Sequence, residues 1–233
     1  MLKKTLVASL CLLSSVMARA DNTDLDEVRT DAPRAEWRLA KNDKLHKIKV
    51  YVKNEEGQNI RSFRVVATLD ASIETLARVQ SDFDNYLRWY FATLEVKFLQ
   101  KISDREYIYY MVHDAPIGTP DRDVVLRTVI EPMTAKKPYV FMRISAVADF
   151  LPLRPPYVRM VAENYTVKWT PINKDTTLVE SEGFINPGGK APAWAINFAQ
   201  NKGPFVNMMG MQRMAQLPQY KDATTPLPFT FIE

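Results

Sequence analysis

Apolar residues alternate with polar ones along much of this chain, the period of a strand with one buried face. Between residues 46 and 53, Ile48, Val50 and Val52 fall on one side and Lys47, Lys49 and Lys53 on the other. Asn54 to Asn59, with Gly57, reads as a turn, and the next run returns Phe63, Val65, Ala67 and Leu69 to one face, so the two segments form an antiparallel pair. The period then changes. Asp70 or Ser72 is placed to cap a helix with Glu74 near its start and Leu76, Ala77 and Val79 along it, and a second short helix runs through Phe83 to Phe91. Six strands follow, over 93–102, 105–113, 122–131, 138–148, 160–170 and 176–184, a succession that favours an antiparallel meander. Helical spacing returns from Pro192 to Met214, where Trp194, Phe198, Phe205 and Met209 fall near one face. Gly203-Pro204 is expected to bend or interrupt that helix.

The N-terminus carries a different pattern. Lys3 and Lys4, an apolar core from Leu6 to Val16 and the small-residue spacing Ala18-Arg19-Ala20 describe a signal peptide cleaved after Ala20. The core is too short to span a bilayer, and no second stretch of about 18 apolar residues follows. Residues 21–44 form a charged lead-in, in which Ala35, Trp37, Leu39 and Ala40 offer a short helix after Pro33. A single domain over 45–216 and a C-terminal tail over 217–233 complete the organisation. Removing the leader takes away Lys3, Lys4, Arg19 and the chain's one cysteine, so the formal charge of +4 becomes +1 and no disulfide or catalytic thiol remains. With so little net charge and no polybasic run, nucleic acid is not expected as a partner.

Candidate chemistry is sparse. The two histidines, His46 and His113, sit in no metal-binding pattern, and there is no G-x-S-x-G elbow or phosphate-cradling glycine loop, so neither a metal nor a cofactor is expected. The informative stretch is PDRDVVLR at 120–127. Alternation places Asp123, Val125, Arg127 and Val129 on one side of a strand and Val124, Leu126, Thr128 and Ile130 on the other, both sides mainly apolar. Arg127 is then either an edge charge with a wet head or a charge in a cavity, where it needs a carboxylate, carbonyls, water or a polar ligand head. Together with PGGKAPAWAINF at 187–198, a glycine turn leading into a helix, this motif resembles the START family of lipid-binding domains, related to steroidogenic acute regulatory protein. The resemblance covers roughly residues 45 to 214. It implies a helix-grip α+β fold, with a curved antiparallel sheet wrapped around the long C-terminal helix, and a cavity that receives one lipid.

For site residues, the resemblance implies that Arg127 reaches the cavity. Some members pair this arginine with a carboxylate on the preceding strand, where this chain has Tyr107, Tyr109 and Tyr110; Glu163, on a largely apolar face with Tyr165 and Val167, is the substitute candidate. Tyr109 and Tyr110 are candidates to place hydroxyls in the cavity, and Arg143 is either a further polar contact or a solvent-facing arginine. Trp194, Phe198, Phe205 and Met209 are candidate ligand contacts from the closing helix. Met208, Met209, Met211 and Met214 make that helix adaptable, and the resemblance makes it a lid. APIGTP at 115–120 matches the family's mobile loop, and FLPLRPP at 150–156, with Arg154 and Arg159 nearby, offers apolar tips for transient contact with a membrane surface. The expectation is a periplasmic or secreted protein that binds and transfers one lipid. The alternatives are a helix-grip enzyme of the polyketide cyclase or dehydratase type, for which His113-Asp114 is the available acid/base couple, and a lipid sensor that transports nothing.

Overall fold

A computed structural model describes residues 36–55 and 60–233. The expected leader, most of the lead-in and part of the turn after Asn54 lie outside those residues. Strands β1 (Arg38–Asp43), β2 (Ile48–Asn54) and β3 (Arg61–Leu69) are followed by helix α1 (Ile73–Ser81) and a 3₁₀ turn, Phe83–Arg88. Then come β4 (Thr93–Ser103), β5 (Glu106–His113), β6 (Arg122–Glu131), β7 (Val140–Ala146), β8 (Val158–Arg159), β9 (Ala162–Asn173) and β10 (Thr176–Asn186), and finally α2 (Ala193–Ala215) and α3 (Pro218–Lys221). The strands form one sheet in the order β1-β2-β3-β10-β9-β7-β6-β5-β4, antiparallel throughout except that β8 pairs parallel with the start of β6. The sheet curves around α2 in the helix-grip arrangement.

The alternating pattern dictates the sheet. Val50 lies opposite Val65 and Val52 opposite Phe63, so the apolar sets of β2 and β3 reach the same side, which is the condition for burying either. Ser72 caps α1, its hydroxyl accepting from the Thr75 amide at 3.1 Å. Three expectations are corrected. Residues 38–43 are a strand, because pairing with β2 satisfies their backbone where a helix so short would nucleate poorly. The 217–233 segment is not a free tail: Phe231 is fully buried, stacked on Trp169 at 5.7 Å, and Tyr220 and Phe229 are buried with it. Finally, α2 runs as one helix through Gly203-Pro204. Pro204 removes one backbone bond, and tertiary packing compensates, since Gly203 is seated against the Phe91 ring.

How α2 is seated decides where space remains. At Gly210 an added Cβ would lie 2.4 Å from the Trp89 carbonyl oxygen, so only glycine permits this approach. Four side chains then tie the C-terminal half of the helix to neighbouring backbone. Asn207 accepts from the Phe91 amide at 2.7 Å, Gln212 from the Asp70 amide at 2.8 Å, Gln216 donates to the Asp70 carbonyl at 2.8 Å, and Arg213 donates to the Arg88 carbonyl. On the opposite surface of the sheet, Ile108, Tyr110, Val112 and Val125 form a smaller cluster covered by Leu151 and Tyr157. Gly210→Ala is therefore expected to cost about 1–3 kcal/mol through overpacking, read as a lower urea midpoint, while Val206→Ala on the exposed face of α2 moves it little. An unchanged midpoint in Gly210→Ala would mean that the helix is not docked this way.

Candidate functional site

Between α2 and the concave face lies a cavity of about 180 Å³. Its walls are mainly apolar: Phe63 and Val65 from β3, Met142 and Ile144 from β7, Val167 and Trp169 from β9, and Ala195, Ile196, Ala199, Met208 and Met211 from α2. Tyr165 is closely backed by Gly183 of β10, where a Cβ would fall 2.3 Å from the Tyr165 Cβ on the neighbouring strand. Its polar lining includes Tyr90, His113, Arg122, Glu163 and Tyr165, with Gln80, Asp114, Thr119, Ser181 and Asn207 elsewhere on the wall.

Glu163 is 2% exposed and His113 is 17% exposed, with His113 Nε2 3.1 Å from Glu163 Oε2. The Tyr90 hydroxyl donates to Glu163 Oε1 at 3.4 Å and lies 3.1 Å from the Tyr165 hydroxyl. Burial pulls the His113 imidazole down in pKa, but the Glu163 charge, the hydrogen bond between them and the carbonyls of Phe91 and Ala92 outweigh it, and the net shift is upward. Burial, reinforced by the Glu163 charge, holds Tyr90 and Tyr165 well above the usual phenol value, so both remain hydrogen-bond donors at neutral pH. The cluster thus presents a hydrogen-bonded acid/base pair flanked by two phenols inside a mainly apolar chamber. Arg122 lines the same chamber at 5% exposure, opposite His113 in the ladder of β5 and β6.

The expected site residues divide sharply. Glu163 lies in the cavity, with His113 as its partner instead of an arginine. Arg127 does not: β6 gives its even-numbered residues to the concave face, so Arg127 projects from the convex one, 46% exposed, with Nε 2.7 Å from Glu106. The arginine of the motif that reaches the cavity is Arg122. Arg143 is likewise on the outside, 59% exposed and paired with Glu131. Tyr110 faces outward too, donating to Asp123 Oδ2 at 3.2 Å. Tyr109 points inward but belongs to the packed aromatic layer of Phe83, Tyr86 and Tyr107 rather than to the cavity wall.

On α2, Trp194 and Phe198 are 67% and 50% exposed, and the half-buried Phe205 and Met209 lie outside the cavity lining. The helix is apolar nearly all round, and the face turned inward is the one whose small residues permit contact. Alanines 195 and 199, with Met208 and Met211, take the place expected of the aromatic stripe. In the 115–120 loop, Ala115, Pro116 and Thr119 line the cavity. The 150–156 loop does not. Leu151 packs on the convex cluster, and Arg159 is locked to Asp123 at 2.9 and 3.0 Å and to the carbonyls of Ala148, Leu151 and Pro152.

This architecture has close counterparts. The solved fragment of a STAR-related lipid transfer protein from Xanthomonas axonopodis is 28% identical and matches 78% of this chain with 99% of its own, at a TM-score of 0.69. This is the START fold. Human STARD10 shares the START architecture at 19% identity over 90% of this chain and 85% of its own, also with a TM-score of 0.69. An uncharacterized protein of Pseudomonas aeruginosa is 25% identical over 189 residues, 81% of this chain and 91% of its own length. A rat acetyl-coenzyme A thioesterase is 24% identical over 139 residues, which are 59% of this chain and 24% of the rat protein. No family model matches the chain.

Two outcomes are expected from this geometry. Because folding raises the His113 pKa above that of a free histidine, about 6.5, the proton favours the folded state. That contribution is fully present below pH 6.5 and is lost as pH rises through the folded-state value. Unfolding free energy measured from pH 6 upward should fall along this limb in the wild type and flatten in His113→Gln. An identical slope in both would remove the His113 and Glu163 pair as its source. Arg127→Leu should leave ligand retention unchanged, since the arginine is exposed and pairs with Glu106 on the far side of the sheet.

Proposed function

We propose that this protein binds a single lipid or other amphipathic hydrophobic molecule between its curved sheet and α2, and transfers it between membranes. The observation that carries the reading is the chamber itself, a mainly apolar hollow with a buried polar cluster in its wall. Each methylene withdrawn from water into such walls contributes about 0.8 kcal/mol, so the hydrocarbon supplies most of the affinity while the polar cluster orients the ligand. The likeness to the Xanthomonas STAR-related lipid transfer protein, at 28% identity, supports the same reading.

Release requires a way out. The C-terminal half of α2 is tied down by Asn207, Gln212, Arg213 and Gln216, whereas its first turns border the cavity mouth beside the 115–119 loop. Opening there lets a ligand pass with the lower part of the helix still seated. Ile117 in that loop and Trp194 and Phe198 on α2 are exposed, which supports transient contact between this end and a membrane surface. No helix of the described residues is long and apolar enough to cross a membrane. The leader pattern of the first twenty residues supports work in the periplasm or outside the cell.

A second reading rests on His113 and Glu163, a buried acid/base pair within reach of a bound molecule. A catalytic role would show as turnover of an acyl thioester or a polyketide-like substrate that disappears in His113→Ala. For the principal reading, organic extraction of the purified protein followed by mass spectrometry should recover one lipid class, and labelled lipid should move between vesicles. Ala199→Trp, which places a large ring in the cavity wall, should sharply reduce recovery and transfer. Wild-type protein that yields no lipid and takes none from vesicles would refute the proposal.

A further inference from the structure

Arg122 is a buried cation that its own protein leaves incompletely bonded. One guanidinium nitrogen, Nη1, donates to the Pro120 carbonyl, while Nε is buried with no hydrogen-bond partner. Among the described residues no carboxylate is paired with it: Glu163 is held by His113 and Asp123 by Arg159, Asp121 accepts from the Ala115 amide, and Asp114, which also lines the cavity, makes no ion pair with the guanidinium. A guanidinium taken out of water without a counter-charge is costly, and such a charge persists where something else supplies the compensation.

A second feature converges on the same end of the cavity. The long helix α2 begins at Ala193 with Pro192 as its N-cap, a residue that offers no side-chain acceptor, and its first turn contains no acid. The opening amides of a helix carry its positive end, which favours an anion; here those of Ala195 and Ile196 donate to the Pro192 carbonyl at 3.0 and 3.3 Å, which leaves the amides of Ala193 and Trp194. Pro192 and Arg122 both line the cavity. The turn leading into the helix passes close to the arginine: a Cβ on Gly189 would sit 4.0 Å from Arg122 Nη2. Gly188 and Gly189 both have left-handed backbone, with φ of +66° and +61°, and together they bring the chain past the guanidinium into the helix start.

From this convergence we infer that the cavity mouth is a head-group site for an anionic amphiphile, one ending in a carboxylate or a phosphate monoester. Arg122 and the start of α2 receive the charged group while the hydrocarbon runs inward along Ile144, Val167 and Met211. The inference rests on the lipid-binding reading and adds the charge of the cargo. It also distinguishes two neighbouring polar groups of the chamber: His113 and Glu163 are bonded to each other, whereas Arg122, opposite His113 in the ladder, keeps an unbonded Nε.

The test compares dodecyl phosphate, dodecanoate and dodecanol, below their micelle concentrations, by quenching of tryptophan fluorescence, since Trp89 and Trp169 line the cavity. Wild-type protein should prefer the two anionic ligands to the alcohol by about tenfold or more, the scale of a charge-assisted hydrogen bond. In Arg122→Gln that ratio should collapse toward one. Equal affinity of the wild type for all three ligands, or a preference that survives in Arg122→Gln, would overturn the assignment. The wild-type ratio decides by itself if the variant does not fold. Binding of none of the three would instead refute the lipid-binding reading. Inorganic phosphate serves as a separate probe: weak competition against dodecyl phosphate is expected, whereas affinity equal to that of dodecyl phosphate would make this a free-anion site and overturn the head-group assignment.

Discussion

The distance at which α2 can approach the sheet governs the rest of the molecule. Near its C-terminal end Gly210 touches the Trp89 backbone, and Asn207, Gln212, Arg213 and Gln216 bond to the main chain of neighbouring segments. Toward its N-terminal end the same helix presents Ala195 and Ala199 to a sheet whose facing side chains do not fill the gap. Close-packed interiors rarely leave such voids, because every missing contact forfeits dispersion energy. A void maintained beneath a helix anchored in both halves, by Asn197 on the Arg61 amide at 3.2 Å and by Asn207 on that of Phe91, is a structural preparation for a guest.

Charge placement follows the same division between packed and hollow regions. On the convex side, Asp123 and Arg159 form a buried pair whose polar atoms are almost all satisfied: the guanidinium meets the carboxylate twice and bonds to three carbonyls, and Tyr110 donates to the same carboxylate. Complete satisfaction of this kind is what a structural ion pair requires to offset its desolvation. Inside the chamber, His113 and Glu163 are bonded to each other, with Tyr90 and Tyr165 beside them. Arg122 is the least compensated of these charges, and it faces the space where α2 begins.

Much of the architecture was legible in the sequence, because alternation and helical spacing report directly on which faces are buried. The span 122–131 matches β6, and the others differ from the observed strands by a few residues at their ends. Ser72 was legible as a cap because its chemistry is local. The strand at 38–43 was not, since its reason for existing is the neighbouring edge of β2. The burial of Phe229 and Phe231 was hidden in the same way, in a segment with no periodicity that is held by Trp169 and the surroundings of Tyr107. On α2 the misreading was rotational. Large apolar residues surround that helix, and small ones, which carry little weight in a hydrophobic pattern, select the inward face.

The site shows how far a motif can lead before geometry must take over. The stretch PDRDVVLR correctly marks a strand that touches the cavity, yet its two arginines are five positions apart, and an odd separation sends them to opposite faces. Val124 and Leu126 are buried on the concave side, and continuing that set one step backward reaches Arg122, so the signal was present in the alternation itself. Applied to β5, the same rule carries Tyr107, Tyr109 and Met111 inward and, one step further, His113, while Tyr110 turns out. Alternation therefore suffices to nominate Arg122 and His113 together. It cannot supply the partner from β9: Glu163 reaches His113 only because the sheet curves far enough for its concave sides to face each other. That curvature, which belongs to no single strand, turns separate inward positions into one site.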